Sequence, residues 1–245
     1  IVLDRSGSMD GEKIARAREA AKMAVQMLEP RDIASIVTYS DTVSVLVPAT
    51  RVTEREYIFD RIDTLFAGGS TALFAGVSKG ADELLKFFDA NMVNRVILLS
   101  DGLANVGPDS PEALGDLGAS LGKMGVSVTT IGLGLGYNED LMVRLAEKSD
   151  GNHAFVENAR DLSRVFEYEF GDILSVVAQD IEIEVRCGAG VRPLRVLGRD
   201  AEIIGRRVVT SINQVYGGRE KYVLLEVEVD PRGAGEEIPL ADVRL

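Results

Sequence analysis

The feature that most constrains this chain is an alternation sustained over its first 177 residues. Short apolar runs take turns with longer segments whose apolar residues recur every three to four positions. Ile1–Leu3, residues 32–39 (DIASIVTY), residues 43–47 (VSVLV) and residues 152–156 read as strands. Val93–Leu99 and Val126–Leu133 are predicted as strands buried on both faces. Between them, residues 11–28 set Ile14, Ala17, Ala21, Ala24, Val25 and Leu28 on one helical face, with Lys13, Arg16, Arg18, Glu19 and Lys22 elsewhere. Asp10 is the expected N-cap of that helix, and Pro30 follows its end. Residues 54–65, 72–88, 111–124, 138–148 and 159–177 are also predicted helical, the last through Leu162, Val165, Phe166, Phe170, Ile173, Leu174 and Val177. Strand and helix in alternation predict an α/β fold: a doubly wound, mostly parallel six-stranded sheet flanked by helices on both faces.

After about residue 178 the period changes. Ile181, Ile183 and Val185 alternate with Glu182, Glu184 and Arg186, and Tyr222–Asp230 and residues 238–245 are strand-like. Glycines punctuate the stretch. This predicts a small antiparallel β segment. The expected organisation is an α/β domain over 1–177 and an accessory β module over 178–245, completed by segments outside this chain. The chain opens on Ile1 and runs straight into a strand, so it reads as a fragment. Cell-surface, secreted and cytoplasmic locations all stay open.

Composition removes several classes of function. Lys and Arg number 27 against 39 Asp and Glu, a net charge of −12, so no nucleic-acid partner is expected. No apolar stretch of about 18 residues offers a membrane span. Cys187 is the single cysteine and His153 the single histidine. An intramolecular disulfide, a cysteine-based zinc site and the common histidine-based ones are therefore excluded. A Ser-His-Asp triad would have to use His153, which reads as structural, as Cys187 reads as a packing residue. Gly132, Gly134 and Gly136 follow the fifth strand rather than the first, and read as a loop at the sheet's ligand-binding end rather than a dinucleotide site.

The chemistry gathers at three junctions. Asp4-Arg5-Ser6-Gly7-Ser8 ends the first strand, Gly68-Gly69-Ser70-Thr71 leads into a helix, and Asp101 follows the Val93–Leu99 strand. Open α/β sheets bind ligands at the carboxyl ends of their strands. Hydroxyls and carboxylates are hard oxygen donors that suit Mg²⁺, Mn²⁺ or Ca²⁺. Two carboxylates balance a divalent charge, and neutral hydroxyls leave the ion electrophilic enough for one more oxygen. Asn105, Asp109, Ser40 and Asp41 lie at the rim of this region and stay outside the candidate set.

LDRSGSM at 3–9, GGST at 68–71 and LLSDGLANVG at 98–107 resemble the metal-ion-dependent adhesion site of von Willebrand factor A domains. The resemblance covers about residues 1–175, including the order of elements. It implies a metal site made by Asp4, Ser6, Ser8, Thr71 and Asp101, with the serine hydroxyls on the ion. The threonine would join them in the ligand-competent state, and the aspartates would act through water. It also implies the strand order 3-2-1-4-5-6, with the Asp4 strand beside the Asp101 strand. The lack of disulfides and the trailing β segment look like bacterial members of the family. The implied function is a non-enzymatic adhesion or scaffold module that captures a carboxylate of a protein partner through Mg²⁺, with Mn²⁺ or Ca²⁺ as substitutes. Two alternatives stay open. One is an assembly subunit of an ATPase or chelatase-like complex, although no P-loop makes this chain the motor. The other is a metal-dependent hydrolase, although Ser6 stands where a phosphatase of the haloacid-dehalogenase type needs a second carboxylate. The oligomeric state is open.

Overall fold

The strands and helices of the first 174 residues build one sheet with a core on each face. In the computed structural model every residue is described except Arg219, Ala234 and the side chains of Asp172, Ile173 and Leu174. The expected apolar roles of Ile173 and Leu174 thus lie outside the described residues. The strands are β1 (Val2–Asp4), β2 (Ile33–Tyr39), β3 (Val43–Arg51), β4 (Arg95–Ser100), β5 (Ser127–Leu133) and β6 (His153–Val156). The helices are α1 (Glu12–Met27), α2 (Arg55–Asp63), α3 (Leu73–Leu85), α4 (Pro111–Lys123), α5 (Glu139–Lys148) and α6 (Leu162–Leu174). The sheet order is β3-β2-β1-β4-β5-β6. Every neighbouring pair is parallel except the β2–β3 hairpin.

The direction of winding reverses at β1. It pairs with β2 on one side and β4 on the other, with Val2 opposite Leu98 and Leu3 opposite Leu99. Asp4 ends β1 and Asp101 directly follows β4, so the switch point brings both aspartates to the same end of the sheet.

Side chains of a strand alternate between faces. Leu3, Ile36, Ile97, Leu99, Ile131 and Leu133 therefore join one core, with the α1 alanines 17, 20, 21 and 24 and with Leu162, Phe166 and Phe170 of α6. Val2, Val37, Tyr39, Val96, Leu98 and Val128 join the other, with residues of α3, α4 and α5. Each fully buried large aliphatic contributes about 1.5–3 kcal/mol. Ser110 caps α4 by accepting the Ala113 N–H, and Asn138 caps α5 by accepting the Leu141 N–H.

Two local expectations are corrected. Asp10 does not cap α1. Residues Gly7–Met9 form a 3₁₀ turn, the Asp10 N–H bonds back to the Gly7 carbonyl, and the helix starts one residue later behind Gly11. Val177 is not helical. From Val176 the backbone joins an antiparallel ladder with residues 207–216, and Val177 is 68% exposed.

The contacts divide the chain into two units, Ile1–Leu174 and Ser175–Leu245. The second is antiparallel throughout, as expected, and larger than the alternation announced. Its strands are β7 (Val176–Cys187), β8 (Val191–Leu197), β9 (Ala201–Ile204), β10 (Arg207–Tyr216), β11 (Leu224–Val229) and β12 (Ala241–Arg244). They form a four-stranded sheet, β12-β7-β10-β9, and a two-stranded one, β11-β8. Ile183, Val185, Val208 and Ile212 make its core, and Val196 and Leu225 of the smaller sheet pack against them. Cross-strand pairs of Arg192 with Glu228 and Arg195 with Glu226 line the exposed side. Among the described residues no helix is long and apolar enough to cross a membrane.

Candidate metal site

Asp4 is fully buried and each of its oxygens has a partner. Oδ1 accepts the Ser6 N–H at 2.8 Å and Oδ2 accepts the Ser100 hydroxyl at 2.7 Å. Burial raises its carboxyl above the usual carboxylate range. The hydrogen bonds from Ser6 and Ser100 oppose that rise, and the charge of Asp101 adds to it. Beneath, the buried Tyr39 hydroxyl donates to the Leu99 carbonyl at 3.3 Å. Burial, then the Asp4 charge, holds that phenol well above its ordinary value. Two carboxylates set this close in a dry place gain from a cation between them.

The hydroxyls converge on the same place. Ser6 Oγ and Ser8 Oγ are 3.1 Å apart, and Ser8 Oγ donates to Asp101 Oδ1 at 2.7 Å. The loop carrying the serines is fastened to the glycine loop: the Gly7 N–H donates to the Gly69 carbonyl at 2.9 Å, and the Gly68 N–H to the Arg5 carbonyl at 2.7 Å. Gly69 has φ 87°, a backbone that side chains rarely adopt, and a Cβ there would displace the Asp41 carboxylate, 2.0 Å away. Gly102 marks the point of convergence. A Cβ on Gly102 would lie 3.4 Å from Ser8 Oγ, 3.5 Å from Thr71 Oγ1 and 4.0 Å from Ser6 Oγ. Thr71 is held from both sides by Asn105: its N–H donates to Asn105 Oδ1 at 2.8 Å, and its carbonyl accepts the Asn105 N–H at 3.1 Å.

All five candidate residues thus meet in one cluster. Asp4, Ser6, Ser8 and Asp101 are joined through hydrogen bonds and the Ser6–Ser8 contact, and Thr71 closes it from the glycine loop. Every donor is an oxygen, and among the described residues no three His, Cys, Asp or Glu side chains gather elsewhere as a metal group. The donor set fits a hard divalent ion that keeps some of its waters.

Sequence reading alone left three parts of this cluster out. Ser100, outside the candidate set, is the hydroxyl that holds Asp4. Asn105 was kept as rim and is the anchor of Thr71. Lys13, off the apolar face of α1, is ion-paired with Asp101 Oδ2. The glycine loop after β5 does border the site: a Cβ on Gly136 would lie 3.7 Å from the Asp101 carbonyl, and one on Gly134 4.0 Å from Lys13 Nζ. Ser40 is buried and serves through its backbone, its carbonyl accepting the Ala72 N–H at 2.7 Å.

His153 takes no part. It starts β6, with Nδ1 2.8 Å from Thr130 Oγ1 and Nε2 3.2 Å from the Tyr137 hydroxyl. The Thr130 proton goes to the Met142 carbonyl, so Nδ1 donates and Nε2 accepts. Burial lowers the His153 pKa, against a smaller opposing effect of Glu139. The unfolded chain then binds the proton more readily than the folded one, so stability falls as pH drops through the unfolded value of about 6.5. His153→Gln is expected to lose less stability than the parent between about pH 7.5 and about pH 5.5, read as denaturation midpoints.

Residues 1–167, which carry the whole cluster, match the von Willebrand factor type A domain. The chain belongs to that family. Its similarity to bacterial proteins agrees with a bacterial type A domain: the uncharacterised protein YfbK of Escherichia coli (strain K12) is 31% identical over 186 residues, 75% of this chain and 32% of that protein. The chain therefore spans about a third of that relative's length. A solved type A protein from Catenulispora acidiphila superposes with a TM-score of 0.84 at 19% identity, over 98% of this chain and 60% of that one. Proximal thread matrix protein 1 of the mussel byssus, solved with a zinc-occupied adhesion-site motif, matches with a TM-score of 0.58 at 23% identity, over 69% of this chain and 43% of that one. Both likenesses show the type A fold.

Proposed function

We propose that this type A domain is a metal-dependent protein-binding module. Asp4, Ser6, Ser8, Thr71 and Asp101 hold a divalent ion, Mg²⁺ in the first instance, with Mn²⁺ or Ca²⁺ as substitutes. The observation that carries this reading is the convergence of three hydroxyls and two buried carboxylates beside Gly102. Bound there, the ion supplies a Lewis-acidic position for one further oxygen, such as the carboxylate of a protein partner. The chain's own contribution is to fix the donors. Ser100 and the Ser6 amide orient Asp4, Asn105 orients Thr71, and the paired loops hold the serines. The rim favours a protein over a small molecule. Leu103, two residues after Asp101, is 58% exposed, and Leu135, between the two glycines that border the site, is 86% exposed. Exposed apolar side chains around a polar centre suit a macromolecular contact. The reading is non-catalytic: Ser6 stands where a second acid would be needed, and both ring nitrogens of His153 are engaged, by Thr130 and Tyr137. Residues 178–245 are, on this reading, an accessory β module.

Calorimetric titration with Mg²⁺ and Mn²⁺ tests the site. The parent is expected to bind, and Asp4→Ala and Asp101→Ala to weaken binding by at least about tenfold, ~1.4 kcal/mol. A parent that binds neither ion, or variants that bind undiminished, would overturn the reading. For the partner, peptides selected on the immobilised chain with Mn²⁺ and eluted by chelator are expected to be enriched in Asp or Glu. Equal enrichment with chelator present throughout would sink carboxylate capture.

A further inference from the structure

Lys13 is not an oxygen donor, yet its ammonium is tied to the metal cluster. It lies in the first turn of α1, where the helix dipole disfavours a cation and Glu12 is the natural occupant. Glu12 itself is committed elsewhere, to Arg16 and Arg160. What holds Lys13 is Asp101. The carboxylate divides its oxygens, Oδ1 taking the Ser8 hydroxyl and Oδ2 the Lys13 ammonium. The Asp101 side chain is wholly buried, whereas that of Lys13 remains 36% exposed. The ammonium therefore covers the carboxylate from the solvent side and has open space to retreat into.

We propose that Lys13 is a built-in competitor for the divalent ion, one that sets the metal concentration at which the site loads. The inference rests on the metal-site reading above. Its argument is charge. Asp4 and Asp101 together match a divalent ion, and Lys13 adds a third positive charge to the same small volume. If the ammonium stays on Oδ2 it repels the ion at short range, and in a low-dielectric site that repulsion is strong. If it swings into solvent, its ion pair is lost. Either route weakens metal binding relative to a chain with a neutral residue at 13. The same ion pair supplies Asp101 with a counter-charge when chelator holds the metal away, so Lys13 supports the fold under those conditions.

The test is a Mg²⁺ titration of the full chain by calorimetry, with Lys13→Met and Lys13→Gln beside the parent and Lys13→Arg as the charge-keeping control. The neutral variants are expected to bind about tenfold more tightly or better, the effect of one lost close charge. Lys13→Arg should stay near the parent. In chelator, the neutral variants are expected to melt below the parent, and saturating Mg²⁺ to give them the larger rise in melting temperature. Tight binding by the neutral variants with weak binding by the parent would be the strongest support. A parent that binds while both neutral variants bind equally or more weakly overturns the competitor and leaves the site standing. No binding by any of the four chains overturns both.

Discussion

Gly102→Ala is expected to lower Mg²⁺ affinity by about a hundredfold, ~2.7 kcal/mol, with little change in folding stability. Gly102 is not one of the glycines with positive φ, so an alanine meets no backbone strain. Its methyl would lie at 3.4 Å from Ser8 Oγ, 3.5 Å from Thr71 Oγ1 and 4.0 Å from Ser6 Oγ, which is ordinary contact. The protein can therefore accept the methyl. An ion held by those hydroxyls at about 2.1 Å from each oxygen, together with the waters it keeps, is expected to be crowded by that methyl. Calorimetry measures the affinity, and chemical denaturation in chelator checks that the variant is as stable as the parent. Affinity unchanged in a stable variant would mean that the three hydroxyls do not jointly hold the ion.

What could be read from the sequence followed from short-range rules. Val93–Leu99 reads as a strand buried on both faces, and the side chains of Val96, Ile97, Leu98 and Leu99 do alternate between two cores that are both apolar. The D-x-S-x-S loop and Asp101 are legible because each sits directly at the carboxyl end of a strand. What escaped depended on tertiary placement. Lys13 looks like any polar residue on a helix until the start of α1 is set over the end of β4. Ser100 looks like an ordinary polar residue just past an apolar run until β1 is paired beside it. In the β unit the obstacle was chemical. Strand β10 buries positions 208, 210, 212, 214 and 216, but two of them are Thr210 and Gln214, so the apolar alternation that marks a strand is diluted. Asp10 was the wrong cap because a 3₁₀ turn, which no period announces, took up the residues before it.

Phe166→Ala is expected to produce the opposite pair of results. Phe166 is fully buried in α6 and stacks on Phe170, with ring centroids 6.5 Å apart. Helix α6 packs along α1, whose buried face is mostly alanine: Ala17, Ala20, Ala21 and Ala24, with Ile14 and Val25. Alanines are too short to reach into the space a lost ring would leave, so the α1 face is expected to fill little of the cavity. The expected cost is about 3–5 kcal/mol, a large part of the roughly 5–15 kcal/mol that holds an ordinary domain together. At about 2–4 °C per kcal/mol for a domain of this size, melting should fall by roughly 6–20 °C. Below that lowered transition, Mg²⁺ affinity should match the parent's, because the donors are fastened by bonds within the loops: Gly7 to Gly69, Gly68 to Arg5, Asn105 to Thr71, Ser100 to Asp4. Gly102→Ala loses the ion and keeps the fold; Phe166→Ala weakens the fold and keeps the ion. If Phe166→Ala instead loses affinity while still folded, the seating of α1 governs the site, and the route would run through the Gly7–Met9 turn that joins the serine loop to the helix.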